Sequence, residues 1–207
     1  MGRKNKNRYA LATVAHNLAT LDDAQNKDVR TTYEAALQIY RELAQKNPKH
    51  YLPNVARTLN NLAGLDYRQN RLDDARAEFQ EALQTHRKMA ETNAEALSEL
   101  ADTLNNLGLL DSDQNRPDDA RSKYQEALET YRKLAETNSE AYLPGVAWTL
   151  NNLGRLDDRQ NRPDEARAEF QEALQIRRKL AQTNPEAYLG YVAATLNNLG
   201  CCHPARN

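Results

Sequence analysis

The stretch that decides the fold is Thr58-Leu59-Asn60-Asn61-Leu62, which occurs four times in this chain of 207 residues. The other copies begin at Thr103, Thr149 and Thr195, so the successive spacings are 45, 46 and 46 residues. A degenerate copy, His16-Asn17-Leu18-Ala19, lies one period earlier. A repeat of this length is typical of a stacked solenoid, in which each repeat buries its apolar face against its neighbours. Such proteins present long surfaces, so we expect binding rather than catalysis.

Each repeat carries the pattern of two helices joined by a turn. In the second repeat, apolar residues recur at three- and four-residue steps from Val55 to Leu65, which predicts a first helix beginning at Pro53. Asn70 is expected to end this helix in the left-handed conformation. Asn26, Asn115 and Asn161 occupy the same place in the other repeats. The acidic pair Asp73-Asp74 favours the start of a second helix, because the helix dipole stabilises negative charge there.

Small and aromatic residues recur at fixed places in the repeats. They allow two helices to approach closely and fill the space between layers. In this spacing the chain resembles the tetratricopeptide repeat. The full matches are Leu59, Leu62, Ala63, Ala75, Phe79 and Ala82; Leu104, Leu107, Gly108, Ala120, Tyr124 and Ala127; and Leu150, Leu153, Gly154, Ala166, Phe170 and Ala173. A looser match runs through Ala15, Leu18, Ala19, Val29, Tyr33 and Ala36.

This resemblance implies an all-α fold, a right-handed superhelix of helical hairpins forming one solenoid domain over residues 1–207. The expected repeats span 8–49, 50–95, 96–140 and 141–186, followed by a capping helix at 187–200 and an irregular tail at 201–207. HEAT-type repeats have a comparable length, but the alanine and aromatic spacing favours the tetratricopeptide pattern.

Two departures from the family pattern stand out. The usual terminal proline of the second helix is replaced by Arg41, Arg87, Arg132 and Arg178. The second helix should therefore run on through Leu43, Met89, Leu134 and Leu180, which explains the long period. In this the chain looks most like the kinesin light chain type and similar bacterial arrays. The usual tyrosine of the first helix is replaced by Asp22, Asp66, Asp111 and Asp157. We expect each aspartate to pair with an arginine such as Arg71, Arg76 or Arg121, the alternative being a functional carboxylate array.

The repeated asparagines form a ladder: Asn17, Asn60, Asn61, Asn105, Asn106, Asn151, Asn152 and Asn198. Asparagine is a mediocre helix former, so its recurrence calls for a reason. The resemblance implies that these positions line a concave groove. There an amide could pair with both N–H and C=O of an extended peptide. The alternatives are that one asparagine of each pair bonds to a neighbouring repeat, or that duplication copied both.

Residues that differ between repeats would set specificity. Arg57, Arg68, Trp148, Arg155 and Arg159 lie beside the ladder. An aromatic side chain flanked by arginines would suit an acidic ligand with an apolar anchor. The alternative for Trp148 is packing on a neighbouring helix. The expected partner is a protein or peptide.

Composition narrows the function classes further. The net charge of −1 lacks the basic excess of nucleic-acid binders. We expect no signal peptide and no membrane association. Cys201 and Cys202 are the only cysteines, which favours a reducing, cytoplasmic location. No residue constellation indicates an enzyme, a metal site or a cofactor. Two alternatives remain open: a scaffold that self-associates through its terminal repeats, and a sensor fragment of a larger signalling protein.

Overall fold

Eight α-helices and no strand make up the described part of the chain. The structure is a computed structural model that describes residues 9–10, 12–13, 27–91, 93 and 96–202. The helices are α1 (Lys27–Lys46), α2 (Pro48–Arg68), α3 (Leu72–Ala90), α4 (Ala96–Asp113), α5 (Pro117–Thr137), α6 (Ser139–Arg159), α7 (Pro163–Thr183) and α8 (Pro185–Cys201). Asn17, Asp22 and Asn26 lie outside the described residues, as does the tail after Cys202.

The chain divides into two compact units, Met1–Asn106 and Leu107–Asn207. In the first unit α2 packs against both α1 and α3. In the second unit α6 packs against α5 and α7, and α8 packs against α7. Within each unit, helices that are neighbours in sequence are neighbours in space. This packing is that of a helical-hairpin solenoid and confirms the predicted all-α fold class.

The turn inside each hairpin has the predicted geometry. Asn70, Asn115 and Asn161 have φ values of 59°, 56° and 56°, the left-handed conformation that asparagine tolerates better than most residues. The next residue then reaches back across the turn. The backbone N–H of Arg71 donates to the carbonyl of Asp66 at 2.8 Å, which is the six-to-one bond of a Schellman motif. The sequence therefore predicted this helix end correctly.

The predicted start of α2, the first helix of the second repeat, was wrong. Helix α2 begins at Pro48, and Pro53 lies inside it. Pro48 suits the first position because its missing N–H would have no intrahelical acceptor there. Pro53 removes only the bond that it would have made to the carbonyl of Lys49.

Single asparagines join one hairpin to the next. Asn47, Asn138 and Asn184 each separate two helices by one residue. The side chain of Asn138 accepts a bond from the N–H of Ala141, and that of Asn184 accepts one from Ala187, both at 3.1 Å. Each of these two residues therefore ends one helix and caps the following one.

The long second helices are confirmed. Helices α1, α3, α5 and α7 extend past Leu43, Met89, Leu134 and Leu180. The aromatic residues that the repeat pattern placed between layers, Tyr33, Phe79, Tyr124 and Phe170, are all buried.

Two glycines allow the helices of a hairpin to approach closely. A Cβ on Gly108 would lie 2.6 Å from the Tyr124 ring, and a Cβ on Gly154 would lie 2.7 Å from the Phe170 ring. Gly190 on α8 meets no such contact, since a Cβ there would find nothing within 4 Å. The small residues of the repeat pattern thus set the spacing within the second unit.

We predict that Gly154→Val lowers the free energy of unfolding by about 1–3 kcal/mol, because the added side chain overlaps the Phe170 ring. The matched control is Gly190→Ala, which should be neutral or stabilising by up to about 1 kcal/mol through helix propensity alone. Urea denaturation followed by circular dichroism measures both. Equal effects of the two substitutions would contradict the packing account.

Candidate functional site

The ladder asparagines differ in how far they are accessible. Asn105 is completely buried, and Asn152 is buried as well. The half-buried members are Asn60, Asn61, Asn106, Asn151 and Asn198. Asn17 falls outside the described residues. Only the half-buried members can reach a ligand, so Asn105 and Asn152 support the helices around them.

Hydrogen bonds between asparagines of different repeats connect neighbouring repeats. In the first unit the Nδ2 of Asn106 donates to the Oδ1 of Asn60 at 3.2 Å. In the second unit the Nδ2 of Asn198 donates to the Oδ1 of Asn151 at 3.0 Å. Each such bond joins the second asparagine of one repeat to the first asparagine of the preceding repeat. An amide offers two N–H groups and a carbonyl with two lone pairs, so one bond does not exhaust it.

The threonine that opens the repeated stretch has a structural role that sequence reasoning missed. Thr58, Thr103, Thr149 and Thr195 are all fully buried. Each donates to a carbonyl four residues earlier, at 2.7–2.9 Å. Thr103 also bonds to the Nδ1 of His86 on the preceding helix, at 3.1 Å. The only sequence signal for this role was the invariance of the threonine within the chain.

Trp148 lines a cavity of about 480 Å³ in the second unit. Helices α6, α7 and α8 all contribute to the wall. The lining residues are Pro144, Ala147, Trp148, Arg177, Leu180, Ala187, Tyr188 and Tyr191. Sequence reasoning selected Trp148 but missed Arg177 and Tyr191, which depart from the residues at equivalent positions of other repeats, and Tyr188, which has the equivalents Tyr142 and Tyr51.

Arg177 lies beneath the aromatic wall of this cavity. Its Nη1 donates to the carbonyl of Tyr191 at 3.1 Å, to the hydroxyl of Thr195 and to the Oδ1 of Asn151 at 3.4 Å. Its guanidinium carbon lies 5.4 Å from the centre of the Tyr191 ring, within cation–π range. Burial lowers the pKa of Arg177 from its ordinary value, opposed by Tyr191. The ladder and the cavity therefore meet at Asn151.

Arg155 and Arg159 belong to a different, smaller cavity. It measures about 140 Å³ and is lined by Arg155, Asp158, Arg159, Phe170, Asn198 and Cys201. Arg159 pairs with Asp113 at 3.1 Å, so part of its charge is neutralised. The sequence grouped Trp148 with Arg155, whereas the structure places the two side chains in separate cavities along α6. In the first unit, Arg57 and Arg68 are exposed on α2.

The repeated aspartates are structural ion pairs, as expected. Asp66 is fully buried and accepts bonds from the Nε of Arg71 at 2.9 Å and from Arg30 of the preceding helix at 3.1 Å. The other two described aspartates follow the same plan: Asp111 contacts Arg116 and Lys123, and Asp157 contacts Arg162 and Arg121. Arg30 and Lys123 were not foreseen as partners.

A second acidic residue lies beside two of these aspartates. Burial, together with the negative charge of Asp66, raises the pKa of Glu78 to about 8. Burial and Asp157 likewise raise the pKa of Glu169 to about 8, while Arg121 and Arg162 oppose the shift. The third repeat has Lys123 at the equivalent position, and its Nζ lies 2.7 Å from Asp111. With a pKa of about 8, Glu78 and Glu169 are mostly protonated at pH 7, whereas Lys123 at the equivalent position forms an ion pair with Asp111.

The described residues contain no helix that is both long and apolar enough to cross a membrane. In that part of the chain, no three histidine, cysteine or acidic side chains are grouped so that they could hold a metal ion. Cys201 is exposed and Cys202 is buried against Ala166 and Phe170. His203 lies beyond the described residues.

Two family models, both described as tetratricopeptide repeat, match residues 99–179 and 55–93, together more than half of the chain. No curated protein sequence matches it. The crystal structure of BtubC (BKLC) from P. vanneervenii is similar in fold, with a TM-score of 0.65 and 24% identity over 97% of this chain and 82% of that one. Two structures of MamA align with TM-scores of 0.42 and 0.43 at 14% and 15% identity. They cover 86% and 92% of this chain and 91% and 88% of theirs.

We predict that stability falls as the pH rises from about 5 to 8. Between the ordinary glutamate pKa of 4.5 and the folded value of about 8, the folded state holds protons that the unfolded state releases. Each group then contributes a slope of at most about 1.4 kcal/mol per pH unit, and its stabilisation is lost above the folded pKa. Thermal melts across this pH range measure the effect. Glu78→Gln and Glu169→Gln should each flatten the dependence of stability on pH.

The chain supplies its own control for this prediction. Glu169→Lys copies the arrangement of Lys123 and Asp111, and should raise the melting temperature at pH 8 relative to the wild type. A glutamine variant with an unchanged pH profile would contradict the assignment.

Proposed function

The chain belongs to the tetratricopeptide repeat family, whose members are generally protein-interaction modules, and on that premise we propose that it binds an extended peptide segment along the helices that carry the asparagine ladder. The observation that carries the proposal is the Trp148 cavity, an apolar pocket that adjoins a ladder asparagine. The family is generally non-enzymatic, which agrees with a binding role. The partner is a peptide with one apolar anchor and one acidic residue.

The spacing of the two cavities defines the peptide. Trp148 and Arg155 are seven residues apart on one face of α6, which corresponds to about 10 Å along the helix. An extended peptide covers this distance in about three residues. Trp148 would hold the apolar side chain and Arg155 the carboxylate. The half-buried Asn151 bonds to Arg177 of the Trp148 cavity, and Asn198 lines the Arg155 cavity. These two amides would bind the peptide backbone.

In the first unit the same role falls to Asn60, Asn61 and Asn106. These amides are half-buried, and the exposed Arg57 and Arg68 lie on the same helix as two of them. Asn61 hydrogen-bonds to the hydroxyl of Tyr33, and burial raises the pKa of that tyrosine. Asn60 and Asn106 likewise bond to each other, and because one bond does not exhaust an amide, all three remain the proposed contacts.

We predict that capped peptides containing Phe-x-x-Glu or Glu-x-x-Phe bind and change the fluorescence of Trp148, the only tryptophan of the chain. Replacing Glu by Gln in the peptide should weaken binding about tenfold, since a charge-assisted hydrogen bond contributes about 1.5–3 kcal/mol. Arg155→Ala should remove this discrimination, and Asn198→Ala should weaken both peptides. Fluorescence titration measures these changes.

Trp148→Ala removes the fluorophore, so its loss of binding is followed by titration calorimetry. The control is Lys133→Ala, which changes a highly exposed side chain paired with Glu129 on α5 and should bind as the wild type does. Binding that survives both Trp148→Ala and Asn198→Ala would overturn the proposal.

Self-association through α8 is the second candidate, favoured by one observation. Leu189, Tyr191 and Leu196 are exposed large apolar side chains on this helix. Leu196 is 43% exposed, whereas Leu150, at the same position of the preceding repeat, is 2% exposed. Exposed apolar patches of this kind are typical of association sites.

If α8 associates, the sedimentation coefficient should rise with protein concentration, and Leu196→Glu should abolish the rise by placing a charge in the contact. A monomer at every concentration would eliminate this candidate and leave peptide binding unaffected.

A further inference from the structure

Arg177 is a buried cation whose described partners are all neutral. Its side chain is embedded with 6% exposure. It donates to a backbone carbonyl, a threonine hydroxyl and an asparagine amide, and it contacts the ring of Tyr191. Among the residues that the structure describes, no carboxylate pairs with it. By contrast, the buried aspartates of the described residues, Asp66, Asp111 and Asp157, each have an oppositely charged partner.

The solenoid itself does not require a charge at this position. The equivalent residues of the other second helices are Tyr40, His86 and Tyr131, all buried. The Nε2 of His86 lies 3.5 Å from Glu99. The residue that corresponds to Glu99 two repeats later is Tyr191. Arg177 thus has an aromatic ring where the earlier repeat has an acid.

An uncompensated buried charge is unfavourable, because desolvation of the guanidinium is only partly offset by neutral hydrogen bonds. An anion that enters the cavity would supply the missing charge. The three described bonds all use Nη1, so Nε and Nη2 are the donors that can meet a ligand. Two adjacent guanidinium N–H groups match the two oxygens of a carboxylate.

The walls of the cavity define the rest of the ligand. Trp148, Tyr188 and Tyr191 provide aromatic surface, and the volume of about 480 Å³ lies within the range of small-molecule sites. Among the described residues that line the cavity, Arg177 is the one cation, which favours a ligand with a single negative charge over a phosphate dianion.

We propose that this cavity binds a monoanionic carboxylate carried on an aromatic or bulky apolar group, with Arg177 pairing with the carboxylate and Trp148, Tyr188 and Tyr191 enclosing the apolar part. The carboxylate belongs either to a free organic acid or to the C-terminal residue of a peptide. In the second case the inference rests on the proposed function, because the peptide anchor then occupies this cavity.

The first experiment compares 3-phenylpropionate with 3-phenylpropionamide by Trp148 fluorescence, up to about 10 mM ligand. The acid is expected to bind at least about tenfold more tightly than the amide, since only the acid carries the charge that Arg177 lacks. Equal affinity of the two probes would overturn the inference. So would no binding of either probe in that range together with equal binding of a Phe-terminated peptide in its free-acid and amidated forms.

The second experiment uses Arg177→Tyr, which introduces the residue type found at the equivalent positions Tyr131 and Tyr40. Circular dichroism should show unchanged helicity. The variant is expected to lose the preference for the acid while binding the amide as the wild type does. Retained preference for the acid would refute the role of Arg177. The comparison of the two probes on the wild type stands by itself if the variant does not fold.

Two peptides distinguish the sources of the carboxylate. A capped peptide that ends in Phe with a free carboxylate is compared with the same peptide amidated. Tight binding of both peptide acid and free acid indicates a site that recognises the shared chemistry; binding of the peptide acid alone assigns the site to protein C-termini. Binding of 3-phenylpropionate without any internal or C-terminal peptide would refute the proposed function and support this inference. Peptide binding that Arg177→Tyr leaves unchanged would support the proposed function and refute this inference.

Discussion

The hairpins depend on the bonds made by the buried aspartate near the end of each first helix. In the described repeats its backbone carbonyl accepts the bond that closes the turn, as Asp66 does from Arg71. Its carboxylate binds the side chain of the same arginine. It also binds a second cation, which is Arg30 for Asp66 and Lys123 for Asp111. One residue therefore fixes the turn, the position of the second helix and, through Arg30 or Arg121, the contact to the preceding helix. Gly108 and Gly154 then allow the two helices of their hairpins to approach closely.

Local signals in the sequence were sufficient for the helices and their turns. Apolar periodicity, Asn70 and the pattern of small and aromatic residues each act within one hairpin, so a single sequence predicts them well. The start of α2 could not be read in the same way. Asn47-Pro48 signals both a helix end and a helix start, and only the geometry shows that one residue serves both helices. The ion pairs of Arg30 and Lys123 depend on packing between helices and were missed for that reason.

The site divides between repeated and unrepeated residues. The repeated asparagines were expected to face a ligand, with bonding to a neighbouring repeat as the alternative. In the structure Asn105 is fully buried, Asn106 bonds to Asn60, and Asn198 bonds to Asn151. Positions that contact the next repeat must stay alike, because every repeat packs on a similar neighbour. Three residues that line the Trp148 cavity, Trp148 itself, Arg177 and Tyr191, break the repeat pattern. Their proximity depends on the packing of three helices, so the residue spacing within one repeat does not predict it.

The single-residue joints at Asn47, Asn138 and Asn184 limit how such a chain can change in length. Adding or deleting one residue there would rotate the following helix by about 100° about its axis, turning its apolar face away from the neighbour. The spacing of 45 residues between Thr58 and Thr103 spans the boundary at which α3 ends at Ala90 and α4 begins at Ala96. At the single-residue joints, a change in length that keeps the helix packing therefore adds or removes a whole repeat of about 46 residues.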